Sequence, residues 1–236
     1  MMQIMKILNK GNAKTKKGEK FGYKTFGIHL APSTLSGFNA CLWASKACIK
    51  ACLNTAGHGQ RESVQIARIE KTKKFFQEEN LFMEKLVEEI TAAIKSAKKA
   101  NLTPCFRLNL TSDIPWEAKK INGQTLFELF PQVSFYDYTK SFNRMKNFLS
   151  GKMPQNYHLT FSRSESNEAL CELVAKLGGN IAVVFRNSLP EKYLGKKVID
   201  GDKNDLRFLD PKNSIVGLIE KGKAKNDESG FVVCTL

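Results

Sequence analysis

Phe106-Arg107-Leu108-Asn109-Leu110-Thr111 alternates apolar and polar side chains without a break. In an extended strand neighbouring side chains point to opposite faces, so Phe106, Leu108 and Leu110 share one face and Arg107, Asn109 and Thr111 the other. His158-Leu159-Thr160-Phe161-Ser162 repeats the arrangement, with His158, Thr160 and Ser162 opposite Leu159 and Phe161. A doubly wound parallel sheet is covered by helices on both faces and prefers both apolar. One apolar face and one polar face instead predict a barrel-like sheet with helices outside and a site inside.

Outward from these strands, extended and helical patterns alternate. Residues 22–31 alternate up to Pro32 and predict a first strand; others are expected at 105–110, 133–139, 157–162, 181–186, 197–200 and 215–219. A long helical stretch starts at Ser63, with Asn80 as an N-cap dividing it. In its second half Phe82, Leu86, Ile90, Ala93 and Ala97 recur at helical spacing, which marks a core-facing stripe. Further helices are expected at 126–130, 143–149 and 166–177, the last closed by Gly178-Gly179. Such β/α alternation predicts an α/β fold with mainly parallel strands, a full or partial (β/α) TIM-like barrel.

Polar groups gather where each expected strand ends: Ser112, Asp113 and Glu117; Tyr138 and Lys140; Ser162, Arg163 and Glu165; Arg186 and Asn187; Asp200 and Asp202; Glu220 and Lys221. In βα barrels the chemistry sits at that end, because the βα loops converge there. We therefore take Asp113, Glu117, Tyr138, Lys140, Arg163 and Glu165 as candidate catalytic residues. Asn109, Ser112, Asp113, Ser162, Asp200 and Asp202 are candidates for holding a cofactor. Asp200-Gly201-Asp202-Lys203-Asn204-Asp205 does not qualify as a calcium loop, because the glycine required at its sixth position is Asp205.

Directly after the first strand come Cys41, Cys48 and Cys52, spaced Cys-x6-Cys-x3-Cys. On one helix Cys48 and Cys52 would point off the same face, and Cys41 could fold back from the loop to meet them. Three thiolates from one short loop suit a [4Fe–4S] cluster with one open iron, and Lys46 and Lys50 would help to keep them ionised. Zinc, with His58 as fourth ligand, is the alternative. Cys105, Cys171 and Cys234 fall in expected strand or helix cores and read as packing residues.

The 236 residues suffice for one large domain, and 42% hydrophobic with 25% charged residues is ordinary for a globular chain. We expect a basic, mobile N-terminal tail over 1–21 and one barrel-like domain over 22–236, with a cysteine loop inserted at 37–60. No apolar run approaches the ~20 residues of a membrane helix, and no secretion signal opens the chain. Six cysteines without a secretion signal then point to a reducing cytoplasm, where a close cysteine cluster is expected to be metal-binding or catalytic and not disulfide-bonded. The net charge of +14 favours nucleic acid or a nucleotide as partner, although the excess is lysine, which reads bases poorly.

Several segments together resemble one family. They are Leu35-Ser36-Gly37-Phe38-Asn39, Cys52-Leu53-Asn54-Thr55-Ala56-Gly57, Arg107 to Glu117, Phe135-Tyr136-Asp137-Tyr138-Thr139-Lys140, Asn156 to Glu165 and Asp205-Leu206-Arg207-Phe208-Leu209-Asp210. The chain is similar over nearly its whole length to the phage and plasmid "gene product 88" family, which implies a mobile-element origin and a host-cytoplasmic location. A more distant likeness is to radical S-adenosylmethionine barrels, where a three-cysteine loop after the first strand holds a [4Fe–4S] cluster. That likeness implies S-adenosylmethionine as cofactor, with Asp113 and Glu117 in the region that contacts its amino group. The spacing here departs from the usual Cys-x3-Cys-x2-Cys of that superfamily, and no Gly-Gly-Glu follows the second strand. Two other functions fit the same residues. One is a zinc-containing transglycosylase-like barrel acting on guanine in nucleic acid, with Asp113 and Asp137 or Asp200 as base and nucleophile. The other is a non-enzymatic nucleic-acid-binding or host-inhibiting protein with a structural zinc.

Overall fold

A computed structural model describes residues 6–9 and 14–234. The strands are β1 (Tyr23–Gly27), β2 (Thr103–Arg107), β3 (Lys120–Ile121), β4 (Gln124–Thr125), β5 (Ser134–Thr139), β6 (Tyr157–Ser162), β7 (Ile181–Phe185), β8 (Lys192–Tyr193), β9 (Lys196–Asp200), β10 (Ile215–Ile219) and β11 (Val232–Val233). The α-helices are α1 (Lys46–Lys50), α2 (Glu62–Gln77), α3 (Glu79–Lys99), α4 (Leu126–Leu129), α5 (Phe142–Leu149) and α6 (Glu168–Lys176). The long helical stretch breaks at Glu78, whose backbone leaves the helical region, two residues before the expected cap at Asn80. Gly178 ends α6 in the left-handed conformation, φ 79°, which costs glycine nothing.

Strands β1, β2, β5, β6, β7 and β10 stand side by side in the order in which the chain visits them, each pair parallel. After β7 the chain runs out to β8 at the far edge and returns through β9 to β10, which takes the place beside β7. β9 adds in parallel beyond β10, and β8 lies antiparallel to β9. With β11 parallel to β7 the sheet counts nine strands among the described residues, all parallel save β8 against β9. Among the described residues a closed TIM-like barrel is not formed. Closure would require β1 to pair with the far edge, whereas Asn9 bridges Gly27 there and β8 ends the other side.

The register sorts the side chains as the alternation predicts. Phe26, Phe106, Phe135, Tyr157, Phe161, Ile181, Val183 and Ile215 share one face and form the main core with Leu86 and Ile90 of α3, Met145 of α5 and Val174 of α6. Burying each such side chain contributes about 1.5–3 kcal/mol. The opposite face carries Thr25, Cys105, Arg107, Tyr136, Tyr138, His158, Thr160 and Ser162. Its lower half is filled by the 3-10 turn Arg207–Leu209: Phe208 meets the rings of Tyr23, Tyr136 and His158, and Leu206 packs with Cys105 and Tyr136.

The stretch 1–21, expected to be mobile, is built into the fold wherever it is described. Ile7 and Leu8 are buried and donate their N–H groups to Glu89. Thr15–Phe21 form a 3-10 helix, and Lys14 ion-pairs with buried Asp205 at 3.1 Å. The part of that expectation that concerns residues 1–5 and 10–13 lies outside the described residues. Among the described residues no helix is long and apolar enough to cross a membrane.

Candidate functional site

Ser45 caps α1 by accepting the N–H of Cys48, so Cys48 lies within the first turn of a short helix. Cys52 follows beyond the helix end, where its sulfur accepts the N–H of Asn54. The expected pairing of Cys48 and Cys52 on one helical face is therefore not made. Cys41 folds back toward the sheet, and its thiol donates to the carbonyl of Thr111 just past β2. None of the six cysteines is in a disulfide. Burial pushes the Cys41 thiol up to about 11, and Cys52, Asp113 and Cys48 reinforce the rise. Burial also raises Cys52, against the pull of Arg68 and Lys140. The three sulfurs thus lie within electrostatic reach of one another. Among the described residues, no three His, Cys, Asp or Glu side chains stand close enough to share a metal ion, and His58 is exposed.

The cysteine loop rests on the C-terminal edge of the sheet. Glu165, past the end of β6, accepts the Ser45 hydroxyl at 2.7 Å and the Ala47 N–H at 3.2 Å. Lys140, past β5, donates to the Ser162 hydroxyl at 3.0 Å and sits 5.8 Å from the Phe231 ring. Asp113 donates its N–H to Ala40, which joins the loop after β2 to the cysteine segment. Residues from three neighbouring strand ends are thus gathered under the cysteines.

Asp113 and Glu117 are engaged by a residue that the sequence did not single out, Arg144 of α5. Arg144 donates to Asp113 at 2.6 Å, to both oxygens of Glu117 at 2.6 and 2.8 Å, and to the Tyr157 hydroxyl at 2.9 Å. The other Asp113 oxygen accepts the Lys140 N–H and the Thr139 hydroxyl. Burial raises the Asp113 carboxyl despite these donors. Asp113 thus fixes the backbone of Lys140, and Arg144 ties both carboxylates to α5. Asn109 works beneath them: its side-chain oxygen accepts from Ser112, Ile114 and Trp116, and its N–H reaches buried Asp137 at 2.7 Å. Burial raises Asp137 to about 7, and Tyr157 donates to it at 2.9 Å.

The remaining candidates lie apart from this group. Tyr138 lies on the polar face with the Arg107 guanidinium 4.4 Å from its ring centre. Arg163 pairs with Glu168 and donates to the carbonyls of Gly230 and Phe231. Asp200 and Asp202 form a turn after β9, where Asp200 accepts the Asp202 N–H and Asp202 pairs with Lys221 at 2.6 Å. Neither aspartate shares a hydrogen bond or ion pair with the cysteine loop among the described residues. Sequence reading also passed over the C-terminal segment. β11 pairs with Val184 and Phe185 of β7, while β6 pairs with β7 only at Ile181 and Ala182. There Val232, Phe231 and Ala224 pack on Ala51 beside the cysteines.

The sequence model for gene product 88 matches residues 6–234, and the chain belongs to that family. No curated protein and no solved structure was found to match it.

Proposed function

We propose that this chain is an iron–sulfur enzyme of the radical S-adenosylmethionine type, holding a [4Fe–4S] cluster on Cys41, Cys48 and Cys52 and modifying a nucleic acid or nucleotide. One observation carries the reading: three unbridged thiols from the loop after β1 lie at the C-terminal edge of a mainly parallel sheet whose strands β1, β2, β5, β6 and β7 follow chain order. We read that open sheet as a partial barrel, whose polar concave face opens toward the cysteines. The donor set fits a cluster in kind, since three thiolates satisfy three irons and leave a fourth open. The loop would have to draw the sulfurs together on binding. Thiols raised by burial give up their protons only when a metal offsets the charge, so assembly and proton release are coupled.

Such a cluster, when bound, supplies one-electron chemistry on S-adenosylmethionine. The residues of the chain supply the setting. Arg68 and Lys140 offset negative charge at Cys52. Lys140 and Ser162 offer polar contacts at the C-terminal edge of the sheet, and Asp113 and Glu117 act as positioning residues through Arg144. Phe231 and Val232 screen the cysteine loop from water. The surplus of 37 Lys and Arg over 23 Asp and Glu supports a polyanionic substrate.

Anaerobic purification with iron, sulfide and zinc analysis tests the proposal. About four irons per chain, lost in Cys48→Ala, is the expected result. Zinc without iron would replace it with a structural-zinc reading, and neither metal would end both.

A further inference from the structure

The middle of α2 lies over the C-terminal end of β1. Thr72 accepts the Ala31 N–H at 2.8 Å, and one turn earlier on the same helix stands Arg68. The Arg68 side chain bonds Asn54, two residues after Cys52, and is 8% exposed. Among the described residues it has no carboxylate partner, and its Nε finds no acceptor. Burying an unpaired guanidinium is costly, and an anion bound beside it would offset that cost.

Two more orphaned nitrogens lie on the same side. Arg107 pairs in register with Gly27, the last residue of β1, and His29 follows two residues beyond it. His29 Nδ1 and Arg107 Nε are buried with no hydrogen-bond partner among the described residues. The charges around the imidazole are Arg68, Lys71 and Arg107, which with burial push it down to about 3 and keep it neutral. Lys71 is answered by the Ile7 carbonyl, Asn9 and the nearby Glu89, and Arg107 by Asp205 at 2.9 Å. Among the described residues Arg68 alone of the three has no carboxylate to answer it, its one acidic neighbour being the Cys52 thiol.

We propose that Arg68, His29 and Arg107 form an oxyanion site beside Cys52, which takes the carboxylate or phosphate group of a ligand bound at the cysteine loop. The inference deepens the proposed function by naming an anionic ligand class, but it does not depend on which metal the cysteines hold. A fixed guanidinium with a neutral N–H beside it matches either oxyanion.

The test is thermal unfolding of the full chain in sodium phosphate, sodium acetate or sodium chloride at matched ionic strength. A midpoint raised by phosphate or acetate above the chloride value is expected. Phosphate alone would identify a phosphate-bearing ligand, and acetate alone a carboxylate. Arg68→Gln should weaken the response about tenfold, and Arg68→Lys should retain part of it. Should Arg68→Gln fail to fold, His29→Ala carries the test, with an expected loss of about threefold or more. No response beyond chloride in the wild type, or an undiminished one in these variants, overturns the site. Cys48→Ala should lose iron and keep the anion response, so the two proposals fail separately.

Discussion

Glu165 reaches back from the end of β6 to accept the Ser45 hydroxyl at 2.7 Å, tying the start of the cysteine helix to the sheet. The same carboxylate takes the Ala47 N–H, so one side chain satisfies two donors of the first helical turn. A carboxylate there is favoured both by those donors and by the positive end of the helix.

Glu165→Ala should therefore loosen the loop without unfolding the sheet. Two hydrogen bonds worth about 1 kcal/mol each are lost, at least in part to water. The expected outcome is alkylation of Cys48 about tenfold faster than in wild type, with a nearly unchanged melting temperature. An unchanged alkylation rate would show that α1 is held by something else.

Arg144 should matter more to stability than any acid it holds. Its side chain is 6% exposed and answers Asp113 and Glu117 at once. Arg144→Met would leave two carboxylates without their cation and is expected to cost about 3–5 kcal/mol in urea unfolding. Adding Asp113→Asn and Glu117→Gln should recover part of that loss, because no charge is then left unpaired. Arg144→Lys should fall between the two, since an ammonium cannot make the forked contact with Glu117.

How far the sequence went is clear from individual residues. The alternation at 158–162 was legible because a strand's period of two is local, and the register confirms both faces there; at 106–111 it confirms only Phe106 and Arg107, because β2 ends at Arg107. Closure was not legible, because it depends on the two sheet edges meeting, and a bridge from Asn9 is a contact across 18 residues with no local pattern. Asp113 and Glu117 read as site residues by their position at a strand end, yet their partner Arg144 lies on a helix whose pattern looks merely amphipathic. Arg68 was hidden in the same way, on the buried side of α2. β11 was missed because a two-residue strand carries no periodicity.

Asp205 sets an acid limit on the fold. It is fully buried, and Arg107, Lys14 and Arg207 together hold its carboxyl down to about 2, against the desolvation that opposes them. A folded value below the unfolded one, about 3.9, means that the stabilisation is complete above that unfolded value. It is lost as pH falls toward and through 2. The shift corresponds to about 2–3 kcal/mol. Urea midpoints measured from pH 6 down to pH 2 should decline, and Asp205→Asn should be less stable at pH 6 with a flatter decline below pH 4. A parallel decline in both proteins would assign the acid sensitivity to other groups.

The C-terminal segment closes the gap that β6 leaves beside β7. The N–H of Arg186 donates to Val233 at 2.9 Å, and Val232 is 3% exposed against Ala51 and Ala224. Charging that position should detach the segment, because an aspartate among apolar neighbours costs more than two strand residues contribute. With Val232→Asp, the Arg186 amide should exchange its hydrogen at least tenfold faster, while the amide of Leu159 in β6 keeps its wild-type protection. Cys52 should become more open to alkylation in the same variant, since the segment packs on the helix just before it. If the Arg186 amide stays protected, β11 is held by more than the pairing and the small apolar cluster described above. If Leu159 loses protection too, the segment is part of the cooperative core and not a separable cover over the cysteine loop.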